Sequence, residues 1–278
     1  MNHVYFPRII RDIGETGVQL TALEATAGSA GNISVFVREL RNLDEHFEER
    51  GEIQLPIEVP DLASGWIVVT ATGRRLRDVS AYPEQSVVVV HVHADGARAT
   101  LYAAVDLQPT SEWNSHLAIH ADHVARRAVS YHAVVHAQPH HLTYLSHHPA
   151  YATDDRLSDR LLRWEPETVV TFPEGIGVVP FHVPGSAVQM RDTVEWSREY
   201  RLVVWQKHGV VSRSDVSASR AADLVEYAEI AARYEVLNLQ LESPAGGLSN
   251  DELRDLCMAF RVPLPRFLTD ASLSGAGE

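Results

Sequence analysis

Short runs of apolar, mostly β-branched residues alternate along this chain with longer segments whose apolar residues recur at helical spacing. Runs such as 87–92 are typical of strands buried in a sheet, because β-branched side chains pack well on a pleated surface. Asp95-Gly96 between two such runs predicts a hairpin turn. The strands predicted in this way are 33–35, 66–70, 87–92, 98–102, 131–136 and 202–205, with a further pair at 169–172 and 177–181.

Helices are predicted between these strands. Ser186 and Asn250 each stand directly before a helical pattern and are typical N-caps. The predicted helices are 7–24, 114–130, 187–200, 216–241 and 251–260, and the charged segment 40–51 is expected to be a helix or an exposed connection. Because strands and helices interleave, the predicted class is α/β or α+β with one central sheet. The hairpins favour a mainly antiparallel or mixed sheet.

The composition narrows the classes of protein that the chain can represent. Its 278 residues suit one large domain or two small ones, with residues 271–278 expected to be a disordered tail. The net charge of −13 argues against nucleic acid as the main partner. The single cysteine, Cys257, cannot form an intrachain disulfide, and no apolar run is long enough to cross a membrane. We therefore expect a cytoplasmic protein with neither a nucleic-acid nor a membrane partner.

Three side chains at the ends of apolar runs suggest a metal site. Glu112, His136 and His208 each end or follow a short apolar run, which is where a strand would deliver a side chain to a site. One carboxylate and two imidazoles suit a divalent transition metal. The alternatives are that Glu112 only caps a helix and that the two histidines are hydrogen-bonded core residues. His116, His120 and His123 form a rival cluster, although no glutamate of an HExxH motif lies between them.

Loops of small and hydroxylated residues suggest an anion site. Successive small residues let backbone N–H groups approach a phosphate, and hydroxyl and amide side chains add donors. Ordinary turns explain each loop equally well when it is taken alone. The candidate phosphate-binding residues are Ser29, Gly31, Asn32, Thr72, Gly73, Thr110 and Ser111.

A second carboxylate is a further candidate. Glu165 and Glu167 stand just ahead of the predicted strand 169–172. Such carboxylates are commonly surface charges, and one of them would serve as a second acid or base if that strand end faces the metal.

Several of these stretches, in this order, resemble the class II aldolase/adducin family. The resemblance runs from about residue 7 to residue 265, and its most specific parts are 172–186 and Thr110-Ser111-Glu112. It implies a single α/β/α domain with a central, mostly antiparallel sheet covered by helices, over residues 1–270. It also implies a cyclic homotetramer with sites near subunit interfaces. The implied activity is a Zn²⁺-dependent cleavage of a ketose 1-phosphate into dihydroxyacetone phosphate and an aldehyde.

The resemblance assigns roles to individual residues. His136 and His208 match metal-binding histidines, Glu112 matches the carboxylate beside the metal, and Glu167 matches a second acid/base glutamate. The family's middle motif is His-x-His, and here Gln138 takes the second place. A neutral amide is a weak zinc ligand. Either zinc affinity falls, or a harder metal is used, or Gln138 binds no metal, with His140 as a possible substitute.

Three hypotheses therefore stand. The first is a metal-dependent aldolase acting on a sugar phosphate. The second keeps the fold and changes the reaction to that of a sugar-phosphate epimerase, a decarboxylase or a dehydratase. The third, motivated by Gln138, is a metal-free binding or scaffold protein of the adducin type. Fold alone does not decide among them.

Overall fold

The computed structural model describes residues 4–269, which form a three-layer α/β/α domain around one large sheet. The strands are β1 (Val4–Tyr5), β2 (Asn32–Val37), β3 (Leu40–Arg41), β4 (Glu48–Gln54), β5 (Trp66–Thr70), β6 (Val87–Val92), β7 (Arg98–Ala103), β8 (Tyr131–Ala137), β9 (Gly177–Val179), β10 (Leu202–Trp205) and β11 (Gly209–Ser214). The helices are α1 (Phe6–Ala22), α2 (Trp113–Arg127), α3 (His140–Leu145), α4 (Asp154–Leu161), α5 (Pro166–Thr171), α6 (Ala187–Ser197), α7 (Ala218–Asn238), α8 (Asn250–Phe260) and α9 (Arg266–Thr269).

The main sheet confirms the prediction of a mostly antiparallel arrangement. Its order is β4-β7-β6-β5-β2-β8-β11-β10-β9, and only the β9–β10 pairing is parallel. A separate parallel pair joins β1 to β3. The central strands β2 and β8 are buried along almost their whole length because helices cover both faces of the sheet.

Alternate residues of each central strand enter different cores. On β2, Val35 and Val37 pack in the core that α1 and α7 cover, whereas Phe36 packs in the core on the α2 side. This is the two-residue period of a strand. The observed α/β/α layering is thus the one that the family resemblance implied.

Three local predictions are wrong. Residues 169–172 belong to α5 and its end instead of a strand, because Pro166 opens a helix and the Thr168 hydroxyl donates to the carbonyls of Leu162 and Glu165. The segment 40–51 contains β3 and the start of β4, which pairs with β7 at the edge of the sheet. The cap of α8 is Ser249, which forms a capping box with Glu252.

A buried carboxylate fastens α4 to α7. Glu235 is fully buried and accepts hydrogen bonds from the Tyr151 hydroxyl at 2.5 Å, the Arg160 guanidinium at 3.0 and 3.1 Å, and the Trp164 indole at 2.9 Å. Its negative charge is therefore paired with Arg160, and both of its oxygens accept hydrogen bonds. Within residues 4–269, no helix combines the length and apolarity needed to cross a membrane. The predicted domain end at residue 270 and the tail at 271–278 lie outside the described residues.

Candidate active site

The predicted site residues meet in one cavity of about 190 Å³ at an end of the central strands. Eleven of the candidate residues named from the sequence line this cavity, whereas Glu165, Glu167, His140 and the rival cluster of His116, His120 and His123 do not. The lining residues are Ser29, Ala30, Gly31, Asn32, Ala71, Thr72, Gly73, Thr110, Ser111, Glu112, His136, Gln138, Pro184 and His208.

Strand pairing explains why residues so far apart in sequence meet here. Asn32 at the start of β2 pairs with His136 near the end of β8, and Val210 of β11 pairs with Ala137. An isolated bridge between Ala71 and Pro109 brings the loop after β5 against the segment that leads into α2. The loop before β2, the loop after β5 and the segment that leads into α2 therefore lie together at the same end of the central strands.

Glu112, His136 and His208 form the centre of the cavity. Glu112 Oε2 lies 3.5 Å from His136 Nε2, and Glu112 Oε1 lies 3.6 Å from His208 Nε2. One ligand atom from each of the three residues falls within 4.8 Å of the others. His136 Nδ1 donates to the Val210 carbonyl at 2.8 Å, which leaves Nε2 as the ring nitrogen that faces the cavity and Glu112. This donor set fits a divalent cation.

The electrostatics of the three groups also favour a cation. Burial pushes the pKa of Glu112 upward, but His136, the Asn32 amide and His208 together outweigh it, so the pKa is lowered. Burial, aided by His136 and opposed by Glu112, lowers the pKa of His208 to about 4. At neutral pH the site therefore holds an ionised carboxylate beside a neutral His208 imidazole. That is the protonation state in which these groups bind metals.

Trp205 supports both histidines and was missed by the sequence analysis. Its ring stacks on His208 with centroids 5.3 Å apart and contacts His136 at 4.8 Å. Its indole N–H donates to Thr193 at 2.8 Å. A tryptophan at the end of an apolar strand was the available signal, but its stacking depends on how β10 pairs with β11.

Gln138 lines the cavity, whereas His140, its possible substitute, is exposed at the start of α3 and outside the lining. Gly209 makes this corner of the cavity possible. A Cβ at Gly209 would lie 2.4 Å from the Ala137 carbonyl oxygen and 3.1 Å from Gln138 Cγ. Only glycine allows β11 to approach β8 this closely.

The candidate phosphate loops surround the other side of the cavity. Gly31 has a φ of +82°, and a Cβ there would lie 3.0 Å from the His136 carbonyl oxygen. Glu112 occupies the N-cap position of α2 but its side chain makes no capping hydrogen bond, and its own N–H donates to the Thr110 hydroxyl at 3.4 Å. The Asn32 amide donates to Glu112 Oε2 at 2.8 Å, so this residue contacts the proposed metal ligand directly.

Two further predictions concern residues that lie outside this cavity, namely Glu167 and the rival cluster of histidines. Glu167 is exposed in the first turn of α5 and does not line this cavity. His116 and His120 are hydrogen-bonded to the Ser34 hydroxyl. His123 forms a second candidate metal group with His132 and Asp215, but the two rings stack at an interplanar angle of only 16°, so their lone pairs do not converge on one point.

An α/β/α domain with a carboxylate and two imidazoles beside loops of small residues defines a site for a cation and a small polar ligand. The chain belongs to the family described as Class II Aldolase and Adducin N-terminal domain, whose model matches residues 11–236. This confirms the resemblance.

Named relatives agree with this membership. The chain is 27% identical to a rhamnulose-1-phosphate aldolase of Bacteroides thetaiotaomicron over 84% of this chain and 87% of the relative. It is 30% identical to one of Yersinia pseudotuberculosis over 78% and 80%. A sugar-phosphate aldolase from Thermotoga maritima has a similar structure, with a TM-score of 0.73 at 29% identity, covering 87% of this chain and 99% of the other.

Proposed function

We propose that this chain is a divalent-metal-dependent aldolase that cleaves a ketose 1-phosphate, with L-rhamnulose 1-phosphate as the first candidate substrate. The products would be dihydroxyacetone phosphate and L-lactaldehyde. The observation that carries the proposal is the convergence of Glu112, His136 and His208 in the same cavity as the loops at Gly31 and Thr72. The printed names of the relatives support the choice of substrate.

His136, His208 and Glu112 would hold the metal, with Zn²⁺ as the first candidate and Gln138 as an additional weak oxygen ligand. The bound metal would supply a Lewis acid for the negative charge that develops on the ketone oxygen as the C3–C4 bond breaks. The orientation of His136, whose Nε2 faces Glu112, and the lowered pKa of Glu112 support this assignment. Because an amide replaces the family's second histidine, a harder metal such as Mn²⁺ is the alternative.

Neutral donors would bind the phosphate. Among the residues that line the cavity there is no lysine or arginine. Backbone N–H groups around Gly31 and Gly73, with the Thr72, Ser111 and Ser29 hydroxyls, would hold the phosphate oxygens. Fixing the phosphate at this side orients the sugar, so that its carbonyl lies toward His136 and His208.

Glu112 would transfer the proton. Cleavage requires that a proton return to C3 of the three-carbon fragment, and Glu112 has the only carboxyl group among the lining residues. A second group must accept the proton of the C4 hydroxyl. Glu167 can do this only from a neighbouring copy, because within one chain it lies outside the cavity. The proposal therefore includes an oligomer, expected to be a homotetramer, whose mass is measurable by light scattering.

The test is the release of dihydroxyacetone phosphate from L-rhamnulose 1-phosphate and L-fuculose 1-phosphate by metal-loaded protein. Glu112→Gln should lower kcat by about 10²- to 10⁴-fold, which is the range for a lost acid/base group. Glu242→Gln is the matched control, since Glu242 is exposed and lies outside the cavity lining. Full activity after exhaustive chelation would overturn the metal mechanism.

Other outcomes would favour the other hypotheses. An isomerised or decarboxylated product without dihydroxyacetone phosphate would identify a same-fold epimerase or decarboxylase. The absence of both bound metal and turnover across the panel would identify a binding protein, the hypothesis that Gln138 motivates.

A further inference from the structure

A continuous chain of hydrogen bonds runs from Glu112 into the core between the sheet and α2. The Asn32 amide joins Glu112 at 2.8 Å to His116 at 2.5 Å. The Ser34 hydroxyl joins His116 at 2.6 Å to His120 at 2.7 Å. His120 Nδ1 then meets His132 Nδ1 at 2.8 Å. Ser34 and the three histidines are fully buried, and none of these four residues lines the cavity.

The spacing of polar residues on β2 and α2 produces this chain of hydrogen bonds. Asn32 and Ser34 are two residues apart on β2 and share the face toward α2. His116 and His120 are four residues apart on α2 and share the face toward the sheet. Sequence analysis recognised the spacing of the two histidines but had no means to see that Ser34 would lie between them.

One set of donors and acceptors satisfies this whole chain when its buried imidazoles are neutral. The Asn32 NH₂ donates to Glu112 Oε2, so the Asn32 oxygen faces His116 and accepts from its Nε2–H. His116 is fully buried, and with its single N–H at Nε2 the neutral ring accepts from the Ser34 hydroxyl at Nδ1.

The hydrogen bonds beyond Ser34 run in the same direction. Since the Ser34 proton is used, its oxygen accepts from His120 Nε2–H, and His120 Nδ1 accepts from His132 Nδ1–H. His132 Nε2 is left with its lone pair, and it is buried without a hydrogen-bond partner among residues 4–269.

We propose that His116 is a positioning residue of this site, which orients the Asn32 amide toward Glu112, and that Ser34, His120 and His132 keep the proton of His116 on Nε2. This inference rests on the proposed function for its catalytic consequence. A rotated Asn32 amide would turn its oxygen toward the Glu112 carboxylate and repel it. His116 Nε2–H excludes that orientation because it needs an acceptor.

Packing alone does not account for these residues. Apolar residues of similar shape would fill the layer without the desolvation of three imidazoles and without an unsatisfied buried atom such as His132 Nε2. The protein therefore keeps a buried polar network, and one end of this network contacts the proposed metal ligand Glu112. Groups that orient ligands in this way typically change metal affinity or activity by about 10- to 100-fold when they are lost.

A double-mutant cycle on His116 and Asn32 tests the inference. Co²⁺ affinity of the metal-free protein and kcat would be measured for His116→Leu, Asn32→Ala and the double variant. His116→Leu should weaken Co²⁺ binding by about 10-fold or more. In the Asn32→Ala background the same change should cost less than about 3-fold, because His116 acts through Asn32. Equal costs in both backgrounds would overturn the proposal.

Two controls separate positioning from general stability. His116→Gln retains a donor near the Nε2 position and should recover most of the lost Co²⁺ affinity. Leu117→Ala damages the neighbouring core, where Leu117 is fully buried, and should leave Co²⁺ affinity within about 2-fold of wild type. If His116→Leu fails to fold, Ser34→Ala takes its place in the cycle with the same expected coupling.

A further readout needs neither metal nor substrate. In metal-free protein, the Asn32 side-chain NH₂ resonances should shift in His116→Leu and Ser34→Ala and return toward wild type in His116→Gln. Unchanged resonances would overturn the inference even if the aldolase assay succeeds. Absence of dihydroxyacetone phosphate release by wild type, with the coupling and the NMR shifts intact, would overturn the proposed function alone.

Discussion

Because His116 is buried, we predict that acid lowers the free energy of unfolding by an amount that can be assigned to this residue. Its pKa is about 4 in the folded protein because the ring is fully buried, against 6.5 for an ordinary histidine. Between these two values the unfolded chain binds a proton that the folded protein does not, so unfolding becomes more favourable as the pH falls from 6.5 to 4. The full difference of 2.5 units corresponds to about 3.4 kcal/mol, and the part lost between pH 7 and pH 4.5 is about 2 kcal/mol.

The measurement is the free energy of unfolding in urea at pH 7.0 and pH 4.5, for wild type and for His116→Gln. Glutamine does not titrate, so the variant should lose about 2 kcal/mol less than wild type over this range. The subtraction removes contributions that the two proteins share, including those of His120 and His132, whose pKa values burial also lowers. His147, which is exposed, is the matched control and His147→Gln should keep the wild-type loss. Equal losses in wild type and His116→Gln would refute the reasoning.

Three further predictions concern single positions. Gly209→Ala should push β11 away from β8, because the new Cβ would collide with the Ala137 carbonyl oxygen. We expect the free energy of unfolding to fall by about 1–3 kcal/mol and Co²⁺ binding to weaken, as measured by thermal unfolding and metal titration. Unchanged values would contradict the close approach of the two strands. Gln138→His should strengthen Zn²⁺ binding by about 10-fold or more in competition with a chelator, and no gain would mean that this position does not face the metal. Glu235→Leu should destabilise the fold by about 3–5 kcal/mol in urea, because it leaves the Arg160 charge and two further donors unpaired; a neutral effect would show that the cluster relaxes freely.

Most of the sheet could be predicted because its strands are β-branched runs bounded by turn residues. The runs 66–70 and 202–205 coincide with β5 and β10. The stretch 169–172 shows the limit of this signal: its composition suits a strand, but Pro166 starts a helix there and the Thr168 hydroxyl stabilises the turn. A local pattern cannot rank these competing preferences without the surrounding contacts.

The meeting of His136 and His208 was predictable because both come at the end of an apolar run. The strands β8 and β10 each pair antiparallel with β11, so their ends lie on the same side of the sheet, where Glu112 joins them from the start of α2. The contacts that hold these three side chains in place could not be predicted. Trp205 stacks on both histidines, and Asn32 turns its amide to Glu112 instead of serving only a phosphate. These contacts depend on rotamers and strand register, which a single sequence does not display.

The most direct test of this account is the metal content of the purified protein after loading with Zn²⁺ and removal of excess, for wild type and His136→Ala. We expect about one Zn²⁺ per chain in wild type and its loss in the variant, since His136 Nε2 is the ring nitrogen that faces Glu112 in the cavity. Equal metal content in both proteins would place the metal elsewhere. No metal in either would contradict the metal-dependent mechanism and favour a binding protein.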